Sequence, residues 1–303
     1  MKLLQFLKEW ALPVAMLTGA VAYPLVSRLS FLTPWLIFCM LLLTFSKMPP
    51  RDMRFHPAHL WLLLIQLAGS LLVYGLLSFY HPVVAQGAFI CMLIPTATAA
   101  AVVTGLLGGN VAFLTSYLLV CNTAVAIAAP LLLPLIGPHG SIPFWDAFFR
   151  ICREVGPILT FPLLLAWLIR YTLPKVNAKL TGIRNLAFYL WAVALTVVTG
   201  KMVKFFVEQE NPDYKVEISL GIVSLLICAG QFFIGRRIGR HYGDAVSSGQ
   251  GLGQKNTILA MWMSQAYLNP VSSVAPATYI LWQNIINSYQ LWRHRRKEAA
   301  SKL

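Results

Sequence analysis

Between Arg54 and Asp146 the chain carries no Lys, Arg, Asp or Glu. A soluble domain is about 25% charged residues, and no water-exposed surface can be built from so long a stretch without any. One helical membrane crossing needs about 20 apolar residues, so this stretch alone has room for several. The whole chain follows suit, with 58% apolar and only 11% charged residues. Its apolar runs lie at roughly 10–27, 30–46, 58–80, 83–106, 110–136, 147–170, 184–206, 217–235, 245–268 and 271–292. Inside lipid the backbone must satisfy its own hydrogen bonds, so these runs are predicted to be helices. A β-barrel would show short alternating segments instead. The expected fold class is an all-α polytopic membrane protein with ten transmembrane helices.

The formal net charge of +14 does not point to nucleic acid. The basic residues, Arg236-Arg237-Ile238-Gly239-Arg240 included, fall at the ends of apolar runs, where the positive-inside rule puts them. With the amino terminus inside, the cytoplasmic side receives Lys2, Lys8, Lys47, Arg51, Arg54, Arg170, Lys175, Lys179, Arg184, Arg236, Arg237, Arg240 and the basic tail from Arg293 to Lys302. The outside receives Arg28, Arg150, Arg153, Lys201, Lys204 and Lys215, several diluted by acids. Both termini are therefore expected in the cytoplasm and the protein in the cytoplasmic (inner) membrane. Lys2 and Lys8 before Ala20-Val21-Ala22 have the form of a signal peptide; a retained first helix is expected. The five cysteines are scattered, without metal or redox spacing.

Two runs differ from the rest. The fourth contains Ile94-Pro95-Thr96-Ala97-Thr98-Ala99-Ala100-Ala101, where the proline removes a helical hydrogen bond. The ninth contains Ser247-Ser248-Gly249-Gln250-Gly251-Leu252-Gly253-Gln254-Lys255-Asn256-Thr257, whose alternating glycines make a poor lipid-facing helix. Helix breaks are expected at Pro95, Gly251 and Gly253. Interrupted segments at corresponding places of two halves point to the binding site of an inverted-repeat transporter. Here they take fourth place among spans one to five and among spans six to ten, so the expected halves are 1–138 and 139–303, of opposite orientation.

At these residues the chain resembles the bile acid:sodium symporter family, through the polar break after Pro95, the following Gly109-Asn110-Val111-Ala112, and the stretch from Gly253 to Asn256. The resemblance runs nearly end to end. It implies two inverted five-helix repeats, with a core of spans three to five and eight to ten and a moving panel of spans one, two, six and seven. The fourth and ninth helices would cross at their unwound centres, as in the NhaA-like fold. It also implies sodium, but the ligand pattern fits only in part. Gln66 matches the glutamine of the third span, whereas Ala100 and Ala101 stand where the family has a Ser-Asn pair. Gly251 replaces the acidic residue, and Lys255 the glutamine. Asn256, Thr96, Thr98, Gln254 and Thr257 remain as polar candidates, with Asn122 and Thr123 on the fifth span.

Lys255 lies about ten residues into its run, or ~15 Å along a helix, near the midplane. A charged lysine there costs about 3 kcal/mol on insertion scales. All ten acidic residues lie in loops or near span ends. The ammonium is therefore expected to stand where the family places sodium, held by backbone carbonyls of the crossed helices and by Gln66 or Asn256, and to attract an anion. Proton coupling or plain facilitated movement is open to such a group.

The expected function is transport of a small organic anion, sterol-like or carboxylate, by alternating access. A metalloid (arsenite-type) permease using Cys91, or a transport-inactive receptor or scaffold, are the other readings. No clustered His, Asp or Glu and no nucleophile with a base suggests an enzyme, and no cofactor is expected beyond sodium by resemblance. Gln231 and Gln265 read as bonds between helices.

Overall fold

The computed structural model describes residues 11–47, 54–97, 99–137, 144–182, 186–208 and 212–300. It is all-helical, 88% helix and without a strand among the described residues, which removes the barrel alternative. In chain order the helices are α1 (Ala11–Val21), α2 (Tyr23–Val26), α3 (Thr33–Ser46), α4 (Pro57–Ser78), α5 (Pro82–Leu93), α6 (Ala100–Leu106), α7 (Val111–Ile136), α8 (Phe144–Thr172), α9 (Pro174–Gly182), α10 (Leu186–Val207), α11 (Tyr214–His241), α12 (Ala245–Gly253), α13 (Thr257–Tyr267) and α14 (Val274–Ala300). Among the described residues four helical stretches are long and apolar enough to cross a membrane: Tyr23–Ser46, Pro57–Ser78, Val111–Ile136 and Tyr214–His241. The 22 residues of α4 extend ~33 Å, enough for a hydrocarbon core of about 30 Å. Length and composition of these helices are those of a helical membrane protein.

Two differences from the sequence expectation stand out near the amino terminus and at the middle. The loop expected around Arg28 is a 3₁₀ segment, Ser27–Leu32, so that Tyr23–Ser46 forms one continuous helical stretch. Pro24 and Pro34 sit in first turns, where a missing N–H costs nothing. The basic segment around Lys175 and Lys179, expected as a loop, is the short helix α9, likewise begun by a proline, with no buried residue.

The chain divides into two compact units, each drawing on both sequence halves. One is Met1–Pro49 with Arg150–Asp213. Here α1 packs on α10 closely enough that a Cβ on Gly19 would stand 2.5 Å from the carbonyl oxygen of Thr196. The other is Pro50–Phe149 with Tyr214–Leu303. Its interior has two apolar clusters: Val84, Cys91, Leu220, Cys228, Phe232, Ala275 and Tyr279 join α5, α11 and α14, and Ala58, Leu62, Phe113, Tyr117, Cys121 and Leu252 join α4, α7 and α12. The candidate site lies in this second unit.

Candidate functional site: two broken helices paired at their breaks

The fourth run stops being helical at Leu93 and resumes at Ala100; the ninth stops at Gly253 and resumes at Thr257. The two interruptions pair with each other. Thr96 and Lys255 form an antiparallel bridge, flanked by Ala97 N–H donating to Gln254 O at 3.0 Å and Asn256 N–H donating to Pro95 O at 2.9 Å. The half-helices α5 and α12 thus both end at the crossing, and a helix leaves its last four carbonyls without partners and slightly negative.

Around α5 those carbonyls are answered one by one. Ile94 N–H donates to Ile90 O at 3.1 Å. Pro95 has no N–H for Cys91 O, and Gln231 Nε2 supplies one from α11 at 3.3 Å. Lys255 Nζ donates to Met92 O at 3.1 Å. Gln66 Nε2 donates to Leu93 O at 2.7 Å and Ile94 O at 3.1 Å, while its Oε1 accepts from Tyr117 Oη at 2.9 Å and Cys121 Sγ at 3.2 Å. At the end of α12, Thr96 Oγ1 donates to Gly251 O at 2.6 Å and Tyr279 Oη to Gly253 O at 2.8 Å.

Lys255 is 1% exposed. Its backbone N–H donates to Gln283 Oε1 of α14 at 3.0 Å, which ties the break to a third helix. Among the described residues no carboxylate pairs with the ammonium; it faces the carbonyl end of a helix, whose dipole carries about half a negative charge. A buried cation with one carbonyl partner and no counter-ion is chemically disposed to bind an anion.

The other candidates divide. Gln66, Thr96, Gln254, Asn256 and Thr257 are buried at the crossing, but Asn256 is not a ligand of Lys255. Its Oδ1 accepts from Leu259 N–H at 3.3 Å and caps α13, because the first turn of a buried helix needs an acceptor. Gly251 is not a break: it lies inside α12, whereas Gly253 is its last residue, where the interruption begins. Their role is close packing, since a Cβ on Gly253 would enter the Phe232 ring and one on Gly251 would come within 2.9 Å of Tyr117. Asn122 is buried, yet its Nδ2 bonds Leu118 O of its own helix at 2.7 Å. Thr123, the next residue, is turned about 100° around α7 and is exposed. Thr98 lies outside the described residues. Met92, Tyr117, Tyr279 and Gln283 escaped the sequence reading. Gln283 alone left a signal there, as the first of a polar stripe with Asn287 and Gln290 at helical spacing.

The chain matches no protein-family model and no curated protein sequence. The crossing itself therefore carries the functional reading.

Proposed function

We propose that the chain is a secondary or facilitative transporter of a small organic anion, working by alternating access in the cytoplasmic membrane with both termini inside. In this reading it is a divergent relative of the bile acid:sodium symporter family, its ten spans arranged as two inverted repeats. The observation that carries the proposal is the Lys255 ammonium, buried at the crossing of two interrupted helices with Met92 O as its hydrogen-bond partner among the described residues. Broken helices at mid-membrane mark transporter binding sites, and an intramembrane charge is functional by default. Further support comes from the division into two compact units, which is what a rocking mechanism requires, and from charge asymmetry between loops for the orientation.

Lys255 takes the place of sodium in this mechanism. A cation that never leaves removes the need for sodium to neutralise the α5 carbonyl end, and the substrate anion supplies the missing counter-charge. Metalloid efflux is less well supported: Cys91 is packed in the apolar cluster with Val84, Cys228, Phe232 and Tyr279. The test is uptake of radiolabelled taurocholate and of short 2-oxo carboxylates into proteoliposomes, with sodium and with choline replacing it. Sodium-independent uptake in wild type that disappears in Lys255→Met is the expected result. Steep sodium dependence with normal Lys255→Met activity refutes the mechanism, and no uptake of any tested anion favours a receptor or scaffold.

A further inference from the structure

At the end of α11 far from Lys215, Arg236 is tied to α14 by its hydrogen bond to Gln290, and its charge is opposed by those of Arg240, one helical turn on, and of Arg293 on α14. Among the described residues none of the three is paired with a carboxylate. The acid nearest in sequence, Asp244, caps α12 through Oδ1, which accepts from Ser247 N–H at 2.9 Å, while its Oδ2 makes no hydrogen bond among the described residues. Like charges held together without a counter-ion destabilise a fold, so the arrangement points to an anion from outside the chain.

Arg236 is set in place for such a partner. Its aliphatic stem lies across Gly249, where a Cβ would come within 2.5 Å of Cγ. Its Nη2 donates to Gln290 Oε1 at 2.9 Å, and Gln290 Oε1 also accepts from Gln250 Nε2 at 3.0 Å. Gln250, 1% exposed, donates in addition to Asn287 Oδ1 at 3.1 Å. Arg236 Nε is buried without a hydrogen-bond partner. Arg240 and Arg293 are exposed and make no hydrogen bond or ion pair among the described residues, which leaves their guanidinium groups open to a ligand.

The surroundings say which kind of anion. Tyr289 and Trp292, 57% and 52% exposed, stack with ring centroids 6.0 Å apart beside Arg293, and the Arg296 guanidinium lies 5.0 Å over the Trp292 ring. Exposed Tyr and Trp at the end of an apolar helix sit at headgroup depth. Phe233, 68% exposed, precedes the arginines on α11 and offers apolar surface one turn deeper. A ligand fitting this face has an anionic head and an apolar tail. We propose that Arg236, Arg240 and Arg293, with the Tyr289–Trp292 stack, bind the phosphodiester headgroup of an anionic membrane lipid. Guanidinium forks match phosphate oxygens, and juxtamembrane arginines draw anionic lipid. Through Gln290 and Gln250 the bound lipid braces α12, the half-helix that leads to Lys255.

The experiment is native mass spectrometry of the purified full-length protein with phosphatidylglycerol or phosphatidylcholine of identical acyl chains, without transport substrate. Wild type retains phosphatidylglycerol in preference to phosphatidylcholine, and the preference falls about five-fold for each arginine removed in Arg293→Gln and in Arg240→Gln/Arg293→Gln. Both substitutions are at exposed positions, and an unchanged unfolding midpoint shows that the fold is kept; Arg293→Gln alone serves if the double variant is unstable. Lys175→Gln/Lys179→Gln removes two charges elsewhere and leaves the preference intact. An unchanged preference in the arginine variants, or an equal fall in the lysine variant, overturns the proposal. Because the readout is lipid retention, it stands or falls separately from transport.

Discussion

The Lys255 ammonium donates to the carbonyl of Met92 at 3.1 Å, so the cation of one broken helix neutralises the carbonyl end of the other. One hydrogen bond to a neutral group is a small return for burying a charge. Desolvation of a lysine at the bilayer centre costs about 3 kcal/mol on insertion scales, against about 1–3 kcal/mol for leaving one carbonyl unsatisfied.

That comparison yields the first prediction. Lys255→Met keeps the length of the side chain and removes its charge. Its thermal unfolding midpoint in detergent is expected to equal that of wild type or to exceed it, by up to about 2 kcal/mol of stability, while anion uptake is lost. A residue that is costly to stability and needed for activity is a functional one. A large loss of stability in Lys255→Met would instead make the ammonium a structural pin.

Gln66 is the opposite case. It donates to two carbonyls at the end of α5 and accepts from Tyr117 and Cys121, all in the dry interior. Gln66→Leu orphans the two carbonyls and the Tyr117 hydroxyl, and each such group costs about 1–3 kcal/mol. Gln231→Leu removes a single, longer bond to Cys91 O at 3.3 Å. Unfolding midpoints are expected in the order wild type, Gln231→Leu, Gln66→Leu; the reverse order of the two variants would show that the α5 end is held elsewhere.

The glycines of α12 give a test of packing against flexibility. Gly253→Ala places a methyl group in the Phe232 ring, and overpacking of this kind costs about 1–3 kcal/mol. The pair Gly253→Ala/Phe232→Leu should recover part of the loss, giving a non-zero coupling in a double-mutant cycle. At Gly75 of α4 nothing lies within 4 Å of the new methyl, so Gly75→Ala should stabilise by about 0.5–1 kcal/mol through helix propensity.

These glycines also mark where the sequence could and could not be read. The charge-free stretch from Arg54 to Asp146 makes a helical membrane protein legible, because lipid allows so few alternatives. Pro95 announces its own break, since a missing N–H is a property of the residue. The glycines are less explicit, because glycine serves a close approach as readily as an unwinding: Gly253 ends α12, while Gly251 stays inside it against the Tyr117 ring of α7. The partner of Lys255 was legible in kind, as a backbone carbonyl of the crossed helices, but not in position. Met92 contributes its backbone carbonyl, and a carbonyl freed by a helix end has no signature in residue type. Asn256 was legible as a polar residue at the crossing, yet its use as a helix cap depends on where α13 begins.

Thr96 provides the most local test of the crossing. Its hydroxyl donates to Gly251 O at 2.6 Å, across the bridge from Lys255, while Tyr279 serves Gly253 O two residues on. Thr96→Val is nearly isosteric and leaves the Gly251 carbonyl buried without that donor, a loss of about 1–3 kcal/mol. Thr96→Ser keeps the hydroxyl and should restore most of it. Tyr279→Phe removes the neighbouring cap on the same helix end, and groups sharing one network do not add independently. The double variant Thr96→Val/Tyr279→Phe is therefore expected to lose less stability than the two single losses combined, because the end of α12 frays once either cap is gone. Strict additivity of the unfolding free energies would mean that the two carbonyls are held as separate sites, and that the crossing is not the single cooperative unit described by the bridge between Thr96 and Lys255.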